Sequence, residues 1–278
     1  MLTTATAHPL PLDRMKYAIS IPPFTDPDTV TALGREAEQA GWDGVFLWDH
    51  VQWTAGMEVH DPWVLLGALA QATEHVRLGT MVTPLSRRRP WVVAKQVASL
   101  DHLSRGRAVL GVGLGEPTDL DFSDLGDQAD QRTRAAMLDE GLEIIDQLWR
   151  GPVHFAGEHY TVTADFYPRP VQRPRPPIWV AGVVPNRRPL RRARRWDGVV
   201  PEAGDGDLLP QDLADHLAHE PADSGAPGPV GWDVVAPWAA GVPAQEYADA
   251  GATWLVVSAW PTDADWVDSI RRLIDTAV

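Results

Sequence analysis

The chain has 278 residues, of which 44% are hydrophobic and 22% are charged, and its formal net charge at pH 7 is −14. This length and composition allow a large buried core, but they do not by themselves distinguish one barrel from two modest domains. The acidic balance argues against a nucleic-acid partner, the absence of cysteine from the sequence excludes disulfides and thiolate catalysis, and no apolar run approaches the roughly 20 residues that span a membrane.

The N-terminal half predicts a repeating unit of one apolar strand, a short loop and one amphipathic helix. Residues 1–14 contain no basic segment followed by an apolar stretch, which indicates a flexible tail rather than a secretory signal and a cytoplasmic location. In the fourth predicted helix, Leu138, Leu142 and Ile145 recur at helical spacing, which is the clearest period in the chain. The predicted strands span 17–21, 44–48, 76–82 and 108–114, and the helices after them span 26–41, 61–73, 90–103 and 132–149.

The C-terminal half continues this alternation after one interruption. Residues 153–162 alternate around a central glycine, which predicts a small hairpin inserted after the fourth helix. The remaining strands are predicted at 178–181, 198–200, 232–236 and 254–259, and they are followed by a basic helix and by helices at 208–218, 243–250 and 263–277. Eight such units predict one α/β domain over residues 15–278, a (β/α)8 TIM barrel. An open dinucleotide-binding sheet is disfavoured, because the GVGLG motif lies in the fourth unit and not in the first strand–helix turn.

Barrels of this kind place their active sites on the loops at the C-terminal ends of the strands, which we call the rim. The rim of this sequence comprises residues 22–24, 49–53, 81–89, 115–119, 182–188, 201–202, 237–238 and 260. Any catalytic or binding residues are therefore expected among these segments.

The loop after the second strand is the most informative part of the rim, since Trp48, Asp49, His50 and Trp53 lie within six residues. Imidazole suits proton transfer near neutral pH, and indole rings can wall a planar ring system. The alternative is that Asp49 caps the loop and His50 is structural, but the position on the rim favours chemistry. A metal-dependent hydrolase is disfavoured and no metal site is predicted, because His50 has no clear imidazole partner at another rim position.

Three further strand ends carry candidate binding residues. Arg87–Arg89 follow the third strand and fit either an anion site or a solvated basic loop. Gly113 at the end of the fourth strand allows a flat ligand to approach closely, and Glu116 adds a carboxylate. After the fifth strand, the start of the basic helix at Arg187 offers backbone N–H groups to a phosphate.

Taken together, these segments resemble the bacterial-luciferase-like monooxygenase family, and the resemblance covers most of the chain. It implies a barrel that binds FMN or the deazaflavin coenzyme F420 over the end of the third strand, with a non-prolyl cis peptide at Met81–Val82. The stretches that carry it are EAEQAGWDGVFLWDH (36–50), VRLGTMVTPLSRRRPWVVAKQVASLDHLSRGRAVLGVGLG (76–115), DEGLEIIDQLWRGPVHFAGEHY (139–160), PVQRPRPPIWVAG (170–182) and RRPLRRARRWDGV (187–199).

The resemblance and the rim position together give a set of expected site residues. His50 and Glu116 are the expected catalytic residues, and Trp53 is expected beside them. The many tryptophans of the rim, Trp238 among them, predict an apolar or aromatic substrate pocket. The expected cofactor-binding residues are Asp49, Met81, Val82, Thr83, Gly113, Gly182, Val183, Asn186 and Arg187, and the expected pocket residues are Phe24, Trp48, Trp53 and Trp260.

Three functions fit these expectations. The first is a monooxygenase that takes reduced FMN from a separate flavin reductase and uses O2 on a small apolar or aromatic substrate, with His50 as the acid or base. The second is a deazaflavin-dependent enzyme that transfers a hydride, which Glu116 and His50 support. The third is a non-catalytic flavin-binding barrel. Family breadth favours the monooxygenase, and family members also suggest a homodimer.

Overall fold

Eight parallel strands close into a barrel in the computed structural model of the chain, which describes residues 15–54, 56–218, 231–261 and 265–275. Neighbouring strands follow the order β1-β10-β9-β8-β7-β4-β3-β2, and β5 and β6 form a separate antiparallel hairpin. The strands are β1 Lys16–Ile21, β2 Gly44–Leu47, β3 Arg77–Pro84, β4 Ala108–Gly113, β5 Val153–Ala156, β6 Thr161–Ala164, β7 Ile178–Val184, β8 Gly198–Ala203, β9 Asp233–Pro237 and β10 Trp254–Ser258. The predicted TIM barrel and its inserted hairpin are confirmed.

Helices cover the outside of the barrel, and several begin where the sequence offers a capping carboxylate. Asp26 accepts the backbone N–H of Thr29 at 2.9 Å, and Asp130 accepts that of Thr133 at 2.7 Å. The helices are α1 Pro27–Gln39, α2 Pro62–Ala72, α3 Pro90–Leu103, α4 Thr118–Asp121, α5 Gln131–Arg150, α6 Arg187–Ala193, α7 Pro210–Ala218, α8 Ala244–Asp249 and α9 Trp266–Asp275. None of the helices among the described residues combines the length and apolar character needed to cross a bilayer.

The barrel interior has its own apolar core, separate from the larger core between strands and helices. Phe46, Trp179 and Trp254 pack together there, with ring centroids 5.2 to 6.4 Å apart. Asp233, at the N-terminal end of β9, accepts both indole N–H groups, from Trp179 at 3.1 Å and from Trp254 at 3.0 Å. The aromatic rings therefore fill the N-terminal end, and the space for a ligand lies at the C-terminal opening, which we call the mouth.

Glycines let β3 and β4 approach more closely than side chains would allow. A Cβ atom at Gly111 would lie 2.2 Å from the Thr80 carbonyl oxygen, and one at Gly79 would lie 2.0 Å from the Val109 carbonyl oxygen. These distances are well inside van der Waals contact, so both positions require glycine. The close pairing ends in a bulge, since the register of β3 on β4 shifts between Thr80 and Thr83.

The structure differs from the prediction mainly at the C-terminal ends of the strands. β3 extends to Pro84 and β8 to Ala203, two and three residues beyond the predicted ends. The short helix α4 and a 3-10 turn at 123–125 lie in the loop after β4, which was predicted without a helix. The predicted tail at 1–14 and both ends of the predicted last helix, 263–264 and 276–277, lie outside the described residues.

Candidate active site

His50 lies within an aromatic cluster built from three rim loops. Phe24 follows β1, Trp48 and Trp53 follow β2, and Trp260 follows β10. The imidazole centroid is 4.7 Å from the ring of Trp53 and 6.0 Å from that of Phe24. Trp48 in turn lies 5.6 Å from Trp260, whose side chain is largely exposed. The structure therefore brings all four predicted pocket residues together around the predicted catalytic histidine.

The His50 ring is oriented by a carboxylate that the sequence analysis did not identify. Its Nδ1 donates a hydrogen bond to Asp121 Oδ2 at 2.8 Å, and the Asp121 side chain has no exposed surface. Asp121 Oδ1 accepts the backbone N–H groups of Val51 at 3.0 Å and Gln52 at 3.2 Å. Burial by itself favours the protonated acid, but the hydrogen bond from His50 and the charge of Arg87 hold the pKa of Asp121 below its ordinary value.

The protonation of this pair decides which nitrogen of His50 can accept a proton. An ionised Asp121 keeps the proton of a neutral imidazole on Nδ1, because that nitrogen must donate to the carboxylate. His50 Nε2 is then an acceptor, and it has no hydrogen-bond partner among the described residues. The arrangement suits a general base whose free nitrogen faces a ligand.

Arg87 joins the loops after β2, β3 and β4 through two buried carboxylates. Its Nη1 lies 2.5 Å from Asp121 Oδ2 and its Nη2 lies 2.8 Å from Asp49 Oδ1. Arg88 binds the same Asp49 through Nε and Nη2, at 2.8 and 2.6 Å. Arg87 and Arg88 therefore form neither an anion site for a ligand nor a solvated basic loop, because internal carboxylates occupy the two guanidinium groups.

Asp49 and Thr83 were both predicted to bind the cofactor, but their side chains face each other inside the protein. Asp49 is 1% exposed and Thr83 has no exposed surface. The Thr83 hydroxyl donates to Asp49 Oδ2 at 2.7 Å, on the carboxylate that already binds two arginines. The structure thus shows that these two side chains hold the rim loops together, and their part in cofactor binding stays a prediction.

The loop after β4 delivers both Glu116 and Asp121, and it is held by Arg134 from α5. The buried Arg134 guanidinium donates to the carbonyls of Leu114 and Gly115 at 3.0 and 2.9 Å. Its Nη2 lies 3.8 Å from Glu116 Oε1, and the Glu116 side chain is 70% exposed. Glu116 therefore stands at the edge of the rim, free to meet a ligand.

The end of β3 presents an apolar surface beside the mouth. The Met81–Val82 peptide bond is cis, as the resemblance implied. Met81 packs against the interior core, and a Cβ atom at Gly113 would lie 2.7 Å from Val82 Cγ2. Three predicted cofactor-binding residues, Met81, Val82 and Gly113, therefore form one continuous surface.

The predicted phosphate site at the end of β7 has a different construction from the one expected. A Cβ atom at Gly182 would lie 2.1 Å from Pro189 Cβ, so the first turn of α6 fills the space that was assigned to a ligand. Val183 is partly exposed, and Asn186 makes no side-chain capping bond to α6. Arg187 has a buried Nη1 atom without a hydrogen-bond partner among the described residues.

Glu202 lies in the predicted rim but was given no role. It is two residues beyond Val200, a member of the interior core, so strand alternation places it on the inner face of β8. The Glu202 side chain is exposed to solvent, yet partial desolvation by the surrounding protein raises its pKa. Within the described part of the chain it has no hydrogen-bond or ion-pair partner.

Trp238 does not join the aromatic cluster, contrary to expectation. Its ring lies 5.5 Å from that of Tyr17, and its Nε1 donates to the Val242 carbonyl at 2.8 Å. Tyr17 precedes the inward-facing Ala18 of β1 by one residue and therefore points away from the interior. Trp238 thus packs outside the barrel and contributes to the helix-covered core.

Comparison with known proteins decides the family. Residues 6–250 match the family described as luciferase-like monooxygenase. The chain belongs to this family. The resemblance noted in the sequence is thereby confirmed.

The luciferase-like chain is similar to named enzymes in sequence and in structure. An F420-dependent glucose-6-phosphate dehydrogenase from Beutenbergia cavernae is 38% identical over 218 residues, which make up 76% of this chain and 63% of that protein. An F420-dependent hydroxymycolic acid dehydrogenase from Mycobacterium tuberculosis is 35% identical over 189 residues, 64% of this chain and 50% of that protein. The chain thus spans only about half to two thirds of the length of these curated relatives.

The fold likeness extends further than the sequence likeness. The structure of a coenzyme F420 dependent tetrahydromethanopterin reductase from Methanopyrus kandleri superposes with a TM-score of 0.76 at 19% identity, covering 95% of this chain and 98% of that one. At this identity the superposition establishes the shared barrel fold alone.

The luciferase-like family implies a flavin or deazaflavin coenzyme, and the residues at the mouth fit one. A planar ring needs an apolar surface, and Met81, Val82 and Gly113 supply it. A phosphate group needs a cationic donor that is not already paired. The buried, unpartnered Nη1 of Arg187 is such a donor, and it follows directly on β7 at the same end of the barrel.

Proposed function

We propose that this protein is a deazaflavin-dependent oxidoreductase that removes a hydride from an alcohol, or returns one to the corresponding ketone. The observation that carries the proposal is the His50–Asp121 pair inside the aromatic cluster, because it forms a base suited to taking the hydroxyl proton of an alcohol. The F420-dependent relatives in sequence support this cofactor over FMN.

His50 Nε2 accepts the proton of the substrate hydroxyl in this proposal. The deazaflavin ring, when bound, supplies the acceptor for the hydride, which leaves the carbon that bears this hydroxyl. Asp121 Oδ2 remains ionised, holds the imidazole through Nδ1 and stabilises the positive charge that develops on the ring. A base held in this way contributes about 10²- to 10⁴-fold to the rate.

The aromatic side chains around His50 position the apolar part of the substrate and exclude water. Trp48 is fixed by the hydrogen bond from its Nε1 to Ser20 Oγ at 2.9 Å, and Trp53 is fixed by its contact with the imidazole. Glu116, largely exposed at the edge of the rim, is available to hold a second proton at Oε1 or Oε2. Arg187 binds the coenzyme phosphate.

Reduced FMN and oxygen chemistry are less well supported. The expectation of FMN and of a separate flavin reductase rested on family breadth, whereas the curated relatives named above depend on F420. The shared fold accommodates either ring, so the choice is made by titration.

The test is to titrate the purified protein with the deazaflavin coenzyme, FMN and reduced FMN, and then to assay alcohol-dependent reduction of the deazaflavin. We expect the deazaflavin to bind most tightly. Arg187→Ala should weaken its binding by about 10- to 100-fold through loss of a charged hydrogen bond, whereas its exposed neighbour Arg188→Ala should not.

Each contrary result rejects a specific part of the proposal. Tight binding of FMN without binding of the deazaflavin would favour the monooxygenase function instead, and binding of neither would reject oxidoreductase chemistry. His50→Ala should abolish turnover with the deazaflavin affinity intact. Unchanged turnover in that variant would reject His50 as the base.

A further inference from the structure

Among the described residues, the side of the mouth that carries the aromatic cluster contains no lysine or arginine of its own. Around the closed barrel, β8, β9, β10, β1 and β2 are consecutive neighbours. We call the described residues of the five loops that follow them the substrate arc, namely 204–209, 238–243, 259–261 with 265, 22–26, 48–54 and 56–61. None of these sequences contains lysine or arginine, while together they contain several acidic residues.

Cations that reach the substrate arc from elsewhere are already paired. Arg87 and Arg88 enter from the loop after β3, but both bind Asp49, and their side chains are 4% and 17% exposed. Arg272 from α9 pairs with Asp265 at 2.8 Å. Within the part of the chain that the structure describes, a phosphate or carboxylate on a substrate would therefore find no unpaired lysine or arginine on this side of the mouth, and burying an unpaired charge is costly.

Glu202 adds a carboxyl that faces the same space from across the barrel. Four steps separate β8 from β2 in either direction around the eight strands, so Glu202 lies directly opposite the strand that carries His50. Its inner-face position and lack of a protein partner leave the carboxyl free to meet whatever fills the mouth. An anionic group there would meet like charge, and a hydroxyl group would meet a hydrogen-bond acceptor or donor.

We propose that the substrate is an alcohol with an apolar or aromatic body and with no phosphate or carboxylate group, and that Glu202 is the residue that discriminates against anionic alcohols. This deepens the proposed function and rests on it for the position of the reacting alcohol beside His50. It also separates this chain from the sugar-phosphate substrate named for its relative from Beutenbergia cavernae. The aromatic cluster supplies the affinity, and the acidic mouth supplies the selectivity.

The experiment compares three probes by direct binding, using the tryptophan fluorescence of the aromatic cluster in the cofactor-free protein. The probes are benzyl alcohol, para-carboxybenzyl alcohol and glucose 6-phosphate, so that the first two differ only in one carboxylate. We expect benzyl alcohol to bind at least about tenfold more tightly than either anion, since like-charge contacts are costly at a desolvated site. In Glu202→Gln the gap between the two benzyl alcohols should shrink to about threefold or less.

Glu143→Gln is the matched control, because Glu143 is an exposed carboxylate on the outer face of α5 and its loss should leave the gap unchanged. Equal or tighter binding of either anion by the unsubstituted protein would overturn the proposal, and so would a gap that persists in Glu202→Gln or the failure of every probe to bind. Titration with the deazaflavin coenzyme separates this from the proposed function. If that coenzyme fails to bind while the charge discrimination holds, the cofactor assignment is wrong and the substrate assignment stands.

Discussion

Replacing Asp121 by asparagine tests the central feature of the site. The carboxylate accepts hydrogen bonds from His50 Nδ1 at 2.8 Å and from two backbone amides, and it forms an ion pair with Arg87 Nη1 at 2.5 Å. An asparagine oxygen keeps the two amides, but its NH2 group then faces His50 and can only donate to Nδ1. The imidazole proton moves to Nε2, so the nitrogen that should accept the substrate proton already carries one. We expect kcat/KM to fall by about 10²- to 10⁴-fold.

The same substitution removes the charged hydrogen bond from His50, worth about 1.5–3 kcal/mol, and the ion pair with Arg87. Because Arg87 keeps its contact with Asp49 at 2.8 Å, we expect a loss of about 3 kcal/mol of unfolding free energy and a Tm lower by roughly 6–12 °C. The Asp121 pKa is lowered by folding, so its contribution is present above the unfolded pKa of about 3.9 and is lost as the pH falls through the folded value. The two proteins should therefore converge in stability in acid.

Steady-state kinetics of alcohol-dependent deazaflavin reduction and thermal unfolding between pH 3 and pH 8 are the assays. Asp119→Asn, an exposed carboxylate on the same short helix, is the control and should change neither quantity. If Asp121→Asn keeps kcat/KM within about threefold while binding deazaflavin normally, the tautomer argument is refuted.

Three further predictions concern stability and are read by thermal unfolding. Glu202→Gln should raise Tm at neutral and alkaline pH but not below about pH 4. The reason is that an acidic group whose pKa is raised by folding lowers the free energy of unfolding once the pH exceeds its unfolded pKa. An equal change in Tm at every pH would contradict this. Asp233→Ala leaves two indole N–H groups in the barrel interior without an acceptor and should cost about 2–5 kcal/mol; a loss under 1 kcal/mol would mean that these bonds contribute little. Gly111→Ala should unfold or displace the end of β3, because its Cβ would lie 2.2 Å from a backbone oxygen. Gly67→Ala in α2, where the nearest neighbour of the new Cβ lies at 4.0 Å, should instead stabilise the protein by about 0.5–1 kcal/mol. Similar behaviour of the two variants would refute the close-approach argument.

The barrel was predictable because its signals are local and repeated. Each strand is a short apolar run and each main helix carries its own period, as Leu138, Leu142 and Ile145 show in α5. The strand ends were less predictable. β8 continues through Pro201 and Glu202 because pairing with β7 fixes the backbone there, which the polar sequence does not reveal.

The site was predictable as a location but not as a set of roles. The rim rule placed His50 and the four aromatic residues correctly, since it depends only on where strands end. Asp121 was missed because the four-residue helix that carries it gives no period, and because its partner His50 lies 71 residues earlier. The internal contacts of Asp49 were also missed, because the sequence does not show that two arginines from the next loop turn inward to bind it.

The contact of Arg87 with both Asp49 and Asp121 has a consequence for how this protein can change. In most (β/α)8 barrels the rim loops vary independently, which lets the fold acquire new chemistries one loop at a time. Here one guanidinium is shared by three loops, so a change in any of them disturbs the other two. The loops after β8, β9 and β10 are outside this linkage. Substitutions that change substrate choice should therefore accumulate in the loops after β8, β9 and β10. The three loops linked by Arg87, which include the one that carries His50, should change only together.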